Sequence, residues 1–472
     1  MCLSYSISKQ FVVALKAITI PAMLMMVGMI SSCNKAEEIT TDKSIKLAFS
    51  SDTVLFDTVF TTVGSVNKRI KVYNTSQKTI NISNIQLSGG SSSYFSLIIN
   101  GFPVNQKTNT EVAGKDSINV YIKVTINPNN QNQPFIVQDS ILFSINGNKQ
   151  SVPLIAYGQN AVFINDQVIN KNTNWTNTLP YIIYKSVTIA ENTTLTIQPG
   201  VKVLFHGNSG MLVKGSLRAS GNVSNPILFS SDRLESEYEE LSGQWNGIHF
   251  YNSSTNSAIG YSLIKNAVIG ITSDSLSINS SPKLILYNSI IKNMEIAGFI
   301  GYKTELDAFN NLFHNTGQYL LYGVGGGRYN LKQNTFAGYN FNFPRQTPAL
   351  YFSDQNGSVS STLNLEIVNN IIWGTLTEEF LIEKKTSLIP EPILQNNLIK
   401  TNLQTYAGNG NLLNTDPGFF DFSRNNFTLQ VNSNAVRKGK DLSNDPYFNS
   451  MLSKDLNNLT RSFPSSLGCY EH

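Results

Sequence analysis

An eight-residue pattern recurs six times in the second half of the chain. Its copies are IGYSLIKN (259–266), LYNSIIKN (286–293), AFNNLFHN (308–315), LKQNTFAG (331–338), IVNNIIWG (367–374) and ILQNNLIK (393–400). Successive copies begin 27, 22, 23, 36 and 26 residues apart, as expected when a coil of about 22 residues accepts loops at its corners. One coil cannot bury its own apolar face, so the coils must stack. The repeat therefore predicts a solenoid.

Stacking would place equivalent residues of successive coils in columns, because neighbouring strands lie about 4.8 Å apart. The sixth position is always apolar and predicts a core column of Ile264, Ile291, Phe313, Phe336, Ile372 and Leu398. The fourth position is always Ser or Asn, namely Ser262, Ser289, Asn311, Asn334, Asn370 and Asn396. We interpret this polar column as an internal ladder, in which amides bond to each other and to buried backbone. A row of sugar-binding residues is the alternative.

The composition favours short strands and turns over helices. The 472 residues include 57 Asn, 32 Gly, 20 Tyr and 26 Phe, and these types favour turns or strands. The formal net charge is only +4, and 14% of the residues are charged. This balance excludes a disordered chain and a nucleic-acid binder that works by bulk charge. We expect an all-β protein with no nucleic-acid partner.

The start and end of the repeat region resemble a known family. TLTIQPGVKVLF (194–205) and GMLVKGSLRASG (210–221) are similar to the opening coils of right-handed parallel β-helix proteins of the pectin-lyase-like class. Near the end, LGCYEH (467–472) resembles a closing motif of extracellular β-helix proteins, with Ser466 where that motif has aspartate. The resemblance implies a right-handed parallel β-helix over 161–472 that ends in a C-terminal cap.

A different pattern occupies residues 46–160. Short alternating runs such as RIKVYN (69–74) and INVYIKVTI (118–126) are separated by polar turns, which predicts a β-sandwich. KVYNTSQKTINISNIQLSGG (71–90) resembles Ig-like modules of the abnormal-spindle and hydin type. The resemblance carries no active site, so we expect this domain to act as a spacer.

The N-terminus resembles a bacterial lipoprotein signal. Residues 17–30 are apolar and follow Lys9 and Lys16, and about 14 residues of helix are too short for a bilayer of roughly 30 Å. The string ISSC at 30–33 resembles a lipobox, which implies signal peptide 1–32, lipidation of Cys33 and a tether over 33–45. The protein would then be exported and lipid-anchored to the outer membrane, and the acidic tether suggests surface exposure. An ordinary signal peptide is the alternative.

Two groups of residues could support catalysis. Lyases of this fold use a Lys or Arg base together with carboxylate-bound Ca²⁺. Lys265 and Lys292 share the seventh column of the repeat with His314, which predicts a surface stripe. The densest carboxylates occur in the loop 231–245 and include Asp232, Glu235, Glu237 and Glu239. These four could hold Ca²⁺, although a solvated acidic loop with ordinary surface lysines explains the same residues.

Aromatic side chains in the middle coils are candidates for ligand binding. They include Trp245, Tyr251, Tyr302, Tyr322 and Trp373. Exposed rings on a rigid surface suit stacking against sugars, but many such residues instead pack a core. We found no zinc-ligand spacing among the four histidines, no nucleophile elbow and no phosphate loop in the sequence.

The sequence therefore predicts a surface lipoprotein whose β-helix binds a glycan or another surface component without catalysis. Its partners would be the membrane, through the lipid, and a polysaccharide or surface protein. A polysaccharide lyase that requires Ca²⁺ is one alternative. A purely structural envelope spacer is the other.

Overall fold

The computed structural model describes residues 38–340, 344–388 and 390–472. The predicted fold class is confirmed, because a β-sandwich precedes a parallel β-helix in an all-β chain. The described residues form two compact units, 38–127 with 136–157 and 128–135 with 158–472. The predicted signal peptide and Cys33 lie outside the described residues.

Ten strands form the sandwich. They are β1 (Leu47–Phe49), β2 (Val54–Phe60), β3 (Lys68–Asn74), β4 (Ile80–Leu87), β5 (Phe95–Ile99), β6 (Phe102–Pro103), β7 (Gln106–Val112), β8 (Ser117–Val124), β9 (Phe135–Ile145) and β10 (Asn148–Gln159). Their orders are β1-β3-β8-β5-β6 in one sheet and β2-β10-β9-β4-β7 in the other. Ring contacts between Phe49 and Phe143 and between Phe56 and Phe95 join the sheets at 5.1 and 5.9 Å. Alternating burial along the strands, as in β3, makes the inner faces one core.

The second unit contains the remaining strands. The first of these are β11 (Val162–Ile169), β12 (Thr173–Trp175), β13 (Tyr181–Ile189), β14 (Thr194–Ile197), β15 (Lys202–Phe205), β16 (Gly210–Val213), β17 (Ser216–Ser220), β18 (Ile227–Ser231), β19 (Ile248–Phe250), β20 (Ser257–Gly260), β21 (Ser262–Lys265), β22 (Ile269–Asp274), β23 (Leu284–Tyr287) and β24 (Ile290–Met294). They continue with β25 (Ala297–Phe309), β26 (Leu312–Thr316), β27 (Leu321–Lys332), β28 (Thr335–Gly338), β29 (Leu350–Ser353), β30 (Gln355–Asn356), β31 (Val359–Ser360), β32 (Leu363–Val368), β33 (Ile371–Gly374), β34 (Phe380–Glu383), β35 (Ile393–Gln395), β36 (Leu398–Ile399), β37 (Leu412–Leu413), β38 (Phe419–Asp421) and β39 (Asn426–Leu429). One continuous sheet joins 25 of them, β11–β29 and β32–β37.

Each coil contributes one strand to each of three faces. The first face contains β16, β19, β22, β29, β34 and the first halves of β25 and β27. The second contains β17, β20, β23, β32, β35 and the second halves of β25 and β27. The third contains β15, β18, β21, β24, β26, β28, β33, β36 and β37. All of these pairings are parallel, so equivalent residues stack in columns.

Inward-facing columns form the β-helix core. On the first face the column consists of Met211, Ile248, Ile271, Phe299, Leu321, Leu350 and Phe380. Each of these side chains is at most 1% exposed. Burying a side chain of this size stabilises the fold by roughly 1.5–3 kcal/mol. Five of the six predicted members of the sixth-position column belong to the same core.

The predicted ladder exists, at the corner between the second and third faces. Each rung donates its backbone N–H to the side-chain oxygen of the next coil, at distances of 2.9 to 3.1 Å. The rungs are Ser262, Ser289, Asn311, Asn334, Asn370, Asn397 and Asn411. From Asn311 onward, each rung's amide also donates to a main-chain carbonyl of the preceding coil, which satisfies groups that water cannot reach.

One predicted register is wrong by a single residue. Val368 pairs with Gln395 before the corner, and Ile371 pairs with Leu398 after it. The last rung of the six repeats is therefore Asn397, while Asn396 has φ +52° and donates its amide to the Lys438 carbonyl. Leu398 correspondingly points outward instead of into the core.

The C-terminal segment does not close the solenoid end as the resemblance implied. Residues 416–472, here called the strap, lie along the side of the third face and the ladder corner. Four corner asparagines, one from each of four coils, donate their side-chain amides to strap carbonyls. From the last of these coils to the first, they are Asn396, Asn369, Asn310 and Asn288. The end of the core instead contains Tyr406, whose ring packs 4.8 Å from Phe380.

Helical structure is confined to single turns in the described ranges. The 3₁₀ turns are Gly90–Ser92, Ser236–Tyr238, Gln404–Tyr406 and Phe422–Arg424, and a π turn covers Phe448–Leu452. Within residues 38–340, 344–388 and 390–472, no helix has the length and hydrophobicity that crossing a membrane requires.

Candidate functional site

The first face carries outward-facing tyrosines on successive coils. Residues Ile300, Tyr322 and Tyr351 are paired neighbours in one outward column, and Tyr302 lies two positions further along β25 than Ile300. The Tyr322 and Tyr351 rings are stacked at 5.2 Å with an angle of 17° between their planes. We name Tyr302, Tyr319, Tyr322 and Tyr351 the tyrosine stripe. Parallel register creates the stripe, because it places outward residues of successive coils side by side.

Tyr319 completes a three-ring cluster in the stripe. Its ring lies 4.6 Å from that of Tyr322 and 6.0 Å from that of Tyr351. Partial burial raises the pKa of both Tyr319 and Tyr322. Their hydroxyls therefore stay protonated at neutral pH and can both donate and accept hydrogen bonds. Tyr302 is 39% exposed, so its ring is open to a ligand.

A polar group continues the same face toward the N-terminal coils. The His249 imidazole stacks on the Tyr251 ring at 4.1 Å, and its Nε2 lies 2.7 Å from an Asp274 carboxylate oxygen. The Lys214 ammonium lies 5.8 Å from the centre of the Tyr251 ring. Asp274 pairs with Tyr302 in register, so this group adjoins the tyrosine stripe.

A carboxylate lies at the other end of the stripe. Glu383 pairs with Ser353, two residues after Tyr351. Burial, followed by a hydrogen bond to Glu383, raises the pKa of Tyr351. The Lys385 ammonium lies 2.7 Å from Glu383, and this contact lowers the pKa of that carboxyl. The face therefore presents rings in the middle and charged hydrogen-bonding groups at both ends.

The five aromatic residues predicted to bind ligand separate into two sets. Tyr302 and Tyr322 lie on the first face, and Tyr251 directly follows its strand β19. Trp245 is 1% exposed and stacks on Phe205 at 4.1 Å, so it belongs to the core rather than to a ligand surface. Its indole N–H donates to the Lys265 carbonyl.

Trp373 lies away from the stripe as well. It pairs with Ala337 on the third face and packs, half-buried, against the strap. The Lys400 ammonium lies 5.2 Å from the centre of its ring. Trp373 therefore occupies a different surface from the tyrosines and cannot share an extended ligand with them along one column.

The predicted lysine column exists, and the acidic loop contacts it. Lys265, Lys292 and His314 are register neighbours on the third face. Glu240 lies 2.8 Å from the Lys292 ammonium, and Lys265 donates to the Glu239 carbonyl. Burial, with help from the Lys292 charge, lowers the pKa of Lys265. His314 is only 3% exposed, so the surface stripe predicted here is limited to the two lysines.

The four carboxylates proposed for Ca²⁺ do not converge. Asp232 contacts His206 at 2.8 Å, and Glu235 contacts Arg233 at 3.1 Å. Glu237 is exposed in the 3₁₀ turn, and Glu239 contributes its main-chain carbonyl to Lys265. Throughout the part of the chain that the structure describes, no three His, Cys, Asp or Glu residues are placed to hold one metal ion.

Sequence reasoning did not select four residues of this face as ligand-binding candidates, namely His249, Asp274, Tyr351 and Glu383. Tyr351 and Glu383 lie in coils separated from the repeated octapeptide by long loops. For Tyr351 the signal is the alternation of β29, where buried Leu350 and Phe352 flank the outward side chain. His249 and Asp274 could have been found by extending the columns from Tyr302 once the coil register was known.

These features define the class of protein as a parallel β-helix with an aromatic, polar-ended outer face. No family model matches the chain, and no curated protein does. Among solved structures, a family 123 glycoside hydrolase from Clostridium perfringens, described in a study of glycolipid glycan hydrolysis, matches at 12% identity and a TM-score of 0.19. That match covers 28% of this chain and 31% of the hydrolase chain. A likeness at this score carries no argument about fold or function.

Proposed function

We propose that this protein is a surface lipoprotein that binds a glycan along the tyrosine stripe without cleaving it. The stacked Tyr322 and Tyr351 rings on adjacent coils carry the proposal. Rings at this spacing offer a rigid apolar surface, and sugar rings present apolar C–H faces that stack on such a surface. The ligand would lie along the β-helix axis and contact several coils.

The polar groups at the stripe ends support the same ligand class. Asp274 and Glu383 supply acceptors, while Lys385 and Lys214 supply donors. A glycan offers hydroxyls that both donate and accept, so these groups would fix its orientation. The Ig-like sandwich and the tether would then hold the β-helix away from the membrane.

Affinity electrophoresis tests the binding. The full chain in mild detergent would be run through gels that contain neutral or acidic polysaccharides. We expect retardation in at least one gel, and we expect the triple variant Tyr302→Ala/Tyr322→Ala/Tyr351→Ala to migrate as in a polysaccharide-free gel. Three lost stacking contacts at about 0.5–1.5 kcal/mol each would weaken affinity by roughly tenfold to more than a thousandfold.

The control is the double variant Tyr94→Ala/Tyr157→Ala. These sandwich tyrosines are 42% and 40% exposed, comparable with Tyr302. The control should be retarded as strongly as the wild type. Unretarded wild-type protein in every gel would contradict glycan binding and favour a structural spacer or a protein partner.

A lyase is the second candidate, because the acidic loop meets the lysine column through Glu240 and Lys292. Lys265, whose pKa is lowered by burial, would be the base. Staining the same gels for cleavage separates the candidates. A cleared zone that the variant Lys265→Met lacks would favour the lyase, whereas retardation without clearing favours the binding protein.

A further inference from the structure

A second candidate ligand site lies at the corner that precedes the first face. It is an open pocket of about 500 Å³, formed by three successive coils. Its lining consists of Asn165, residues 184–186 and residues 206–208. None of these belongs to the tyrosine stripe, and the volume falls within the range of small-ligand pockets.

Aromatic rings form one side of this corner pocket. Tyr184 and His206 occupy adjacent coils, with ring centres 4.7 Å apart. The Phe163 ring, which is 36% exposed, lies 6.2 Å from Tyr184 on the preceding coil. Three neighbouring coils thus present a short platform that suits a flat, partly apolar ligand.

A buried carboxylate fixes the His206 imidazole. The His206 Nδ1 atom lies 2.8 Å from Asp232, whose side chain is 10% exposed while that of His206 is 51% exposed. Because an ionised carboxylate can only accept, Nδ1 carries the hydrogen of this bond, which leaves Nε2 available to bond to a ligand. Burying a carboxylate is costly unless it is paired and hydrogen-bonded, and the His206 contact supplies that pairing.

The remaining polar groups of the pocket are both donors and acceptors. Over residues 38–340, 344–388 and 390–472, the structure gives no hydrogen bond to His206 Nε2, to the Tyr184 hydroxyl or to the side-chain amides of Asn165 and Asn208. Lys185 adds an ammonium group to the lining. A pocket with this lining matches a neutral ligand that is rich in hydroxyls.

We propose that the corner pocket binds one neutral hexopyranose unit, stacked on Tyr184 and hydrogen-bonded to His206 Nε2. Each sugar hydroxyl donates to one group and accepts from another, which matches the mixed lining. The ring C–H face covers the aromatic platform. An anion would need more cationic donors than the single ammonium of Lys185. This site is independent of the tyrosine stripe and does not require that the stripe bind a glycan.

NMR titration of the full chain in detergent tests the proposal. The probes are D-glucose, D-galactose, D-mannose and N-acetyl-D-glucosamine, each taken to high millimolar concentration. With ¹³C-labelled histidine and tyrosine, we expect at least one sugar to shift the His206 and Tyr184 ring signals in a saturable way. Tyr184→Ala should weaken that sugar about tenfold, the loss expected for one aromatic stacking contact near 1.4 kcal/mol.

Two variants make the result specific. His206→Gln keeps a polar side chain and should lower the affinity for the same sugar severalfold. In this variant the Tyr184 ring signal still reports the binding. Tyr302→Ala removes a stripe residue and should leave the titration unchanged, so failure of the stripe and failure of the pocket are distinguishable. Four sugars that leave both signals unmoved would overturn the proposal, as would shifts that Tyr184→Ala does not affect.

Discussion

Individual asparagines in this β-helix perform two different structural tasks. Those with positive φ, such as Asn310 and Asn369, turn the backbone at the corner, a conformation that Asn tolerates better than most residues. The residues that follow these two are Asn311 and Asn370. Both are ladder rungs whose side chains are fully hydrogen-bonded. The pair Asn-Asn in the repeat therefore combines a turn residue with a buried polar residue.

Removing one rung should cost several hydrogen bonds at once. The Asn334 side chain donates to the Ala308 carbonyl and to Asn370, and it accepts from both Asn311 nitrogens. We expect Asn334→Ala to lower the free energy of unfolding by about 3 kcal/mol or more, since each orphaned buried group costs about 1–3 kcal/mol. Denaturant titration measures this change.

The matched control is Asn364→Ala, which removes an exposed asparagine from β32. It should change the free energy of unfolding by no more than about 0.5 kcal/mol. Equal effects of the two substitutions would show that the ladder does not stabilise the fold in the way described.

His314 should make the protein sensitive to acid. Burial lowers its pKa from 6.5 to about 3 beneath the Phe427 ring of the strap, with the Lys292 charge adding to the shift. The unfolded chain binds this proton at higher pH than the folded chain does. The contribution of neutral His314 to the free energy of unfolding therefore falls as the pH drops from about 6.5 toward 3. A shift of this size corresponds to roughly 4–5 kcal/mol in all.

Comparing wild type with His314→Gln isolates the effect. The variant should lose stability less steeply between pH 6 and about pH 4, whereas His472→Gln, which changes an exposed terminal histidine, should follow the wild type. Parallel pH profiles for wild type and His314→Gln would contradict burial of a neutral imidazole.

At the scale of elements, the strap explains why an outward column can be apolar. Leu312, Ile371 and Leu398 face outward from the third face but are at most 3% exposed, because strap residues such as Phe427 cover them. The strap thus adds a second apolar core outside the solenoid. The apolar outward column determines where the strap packs. No sequence motif within the strap indicates that position.

A buried ion pair should hold the strap in place. Arg461 is 5% exposed, contacts Glu471 at 2.9 Å and donates to Asn310 and to the Gly468 carbonyl. We expect Arg461→Met to destabilise the protein by about 3–5 kcal/mol, because it leaves Glu471 buried without its partner. Amide exchange should rise most at Gly468, whose N–H donates to the Asn369 carbonyl.

Arg424→Met provides the control for that substitution. Arg424 lies in the same strap, but its side chain is 87% exposed. It should leave the exchange of Gly468 unchanged. If amide exchange at Gly468 became faster in both variants, or in neither, the role of the Arg461 ion pair would be contradicted.

The parts of the fold that could be predicted from the sequence are those that the repeat contains. The apolar column from Ile264 to Ile372 and the Ser/Asn rungs keep fixed positions within the repeat, so they could be assigned without coordinates. The last copy was misplaced because ILQNNLIK contains two adjacent asparagines, and either satisfies the pattern. The pairings of Val368 with Gln395 and of Ile371 with Leu398 fix the register there.

The candidate site was harder to predict than the core. A tyrosine stripe depends on which loops interrupt the coils, since Tyr322 and Tyr351 are 29 residues apart in sequence yet adjacent in space. Trp245 shows the converse problem, because an aromatic residue in a loop can insert into the core. Exposure is a property of the packed coils, so residue type alone cannot supply it.

At the scale of the whole molecule, we expect Cys33 to determine location. If it is lipidated, Cys33→Ser should move most of the protein from the membrane fraction to the soluble fraction and abolish palmitate labelling, because several acyl chains exceed the threshold for stable anchoring. Cys469→Ser changes a buried thiol and should leave both readouts unchanged. Membrane retention of Cys33→Ser would contradict the lipoprotein assignment.

We expect a glycan to contact the tyrosine stripe directly. The most direct measurement is the tyrosine ring NMR spectrum of the full chain, recorded before and after addition of the polysaccharide that retards it in gels. We predict saturable shifts for Tyr302, Tyr322 and Tyr351, unchanged signals for Tyr94 and Tyr157, and no release of oligosaccharide. Polysaccharide binding that leaves the signals of these three tyrosines unshifted would contradict glycan contact with the stripe.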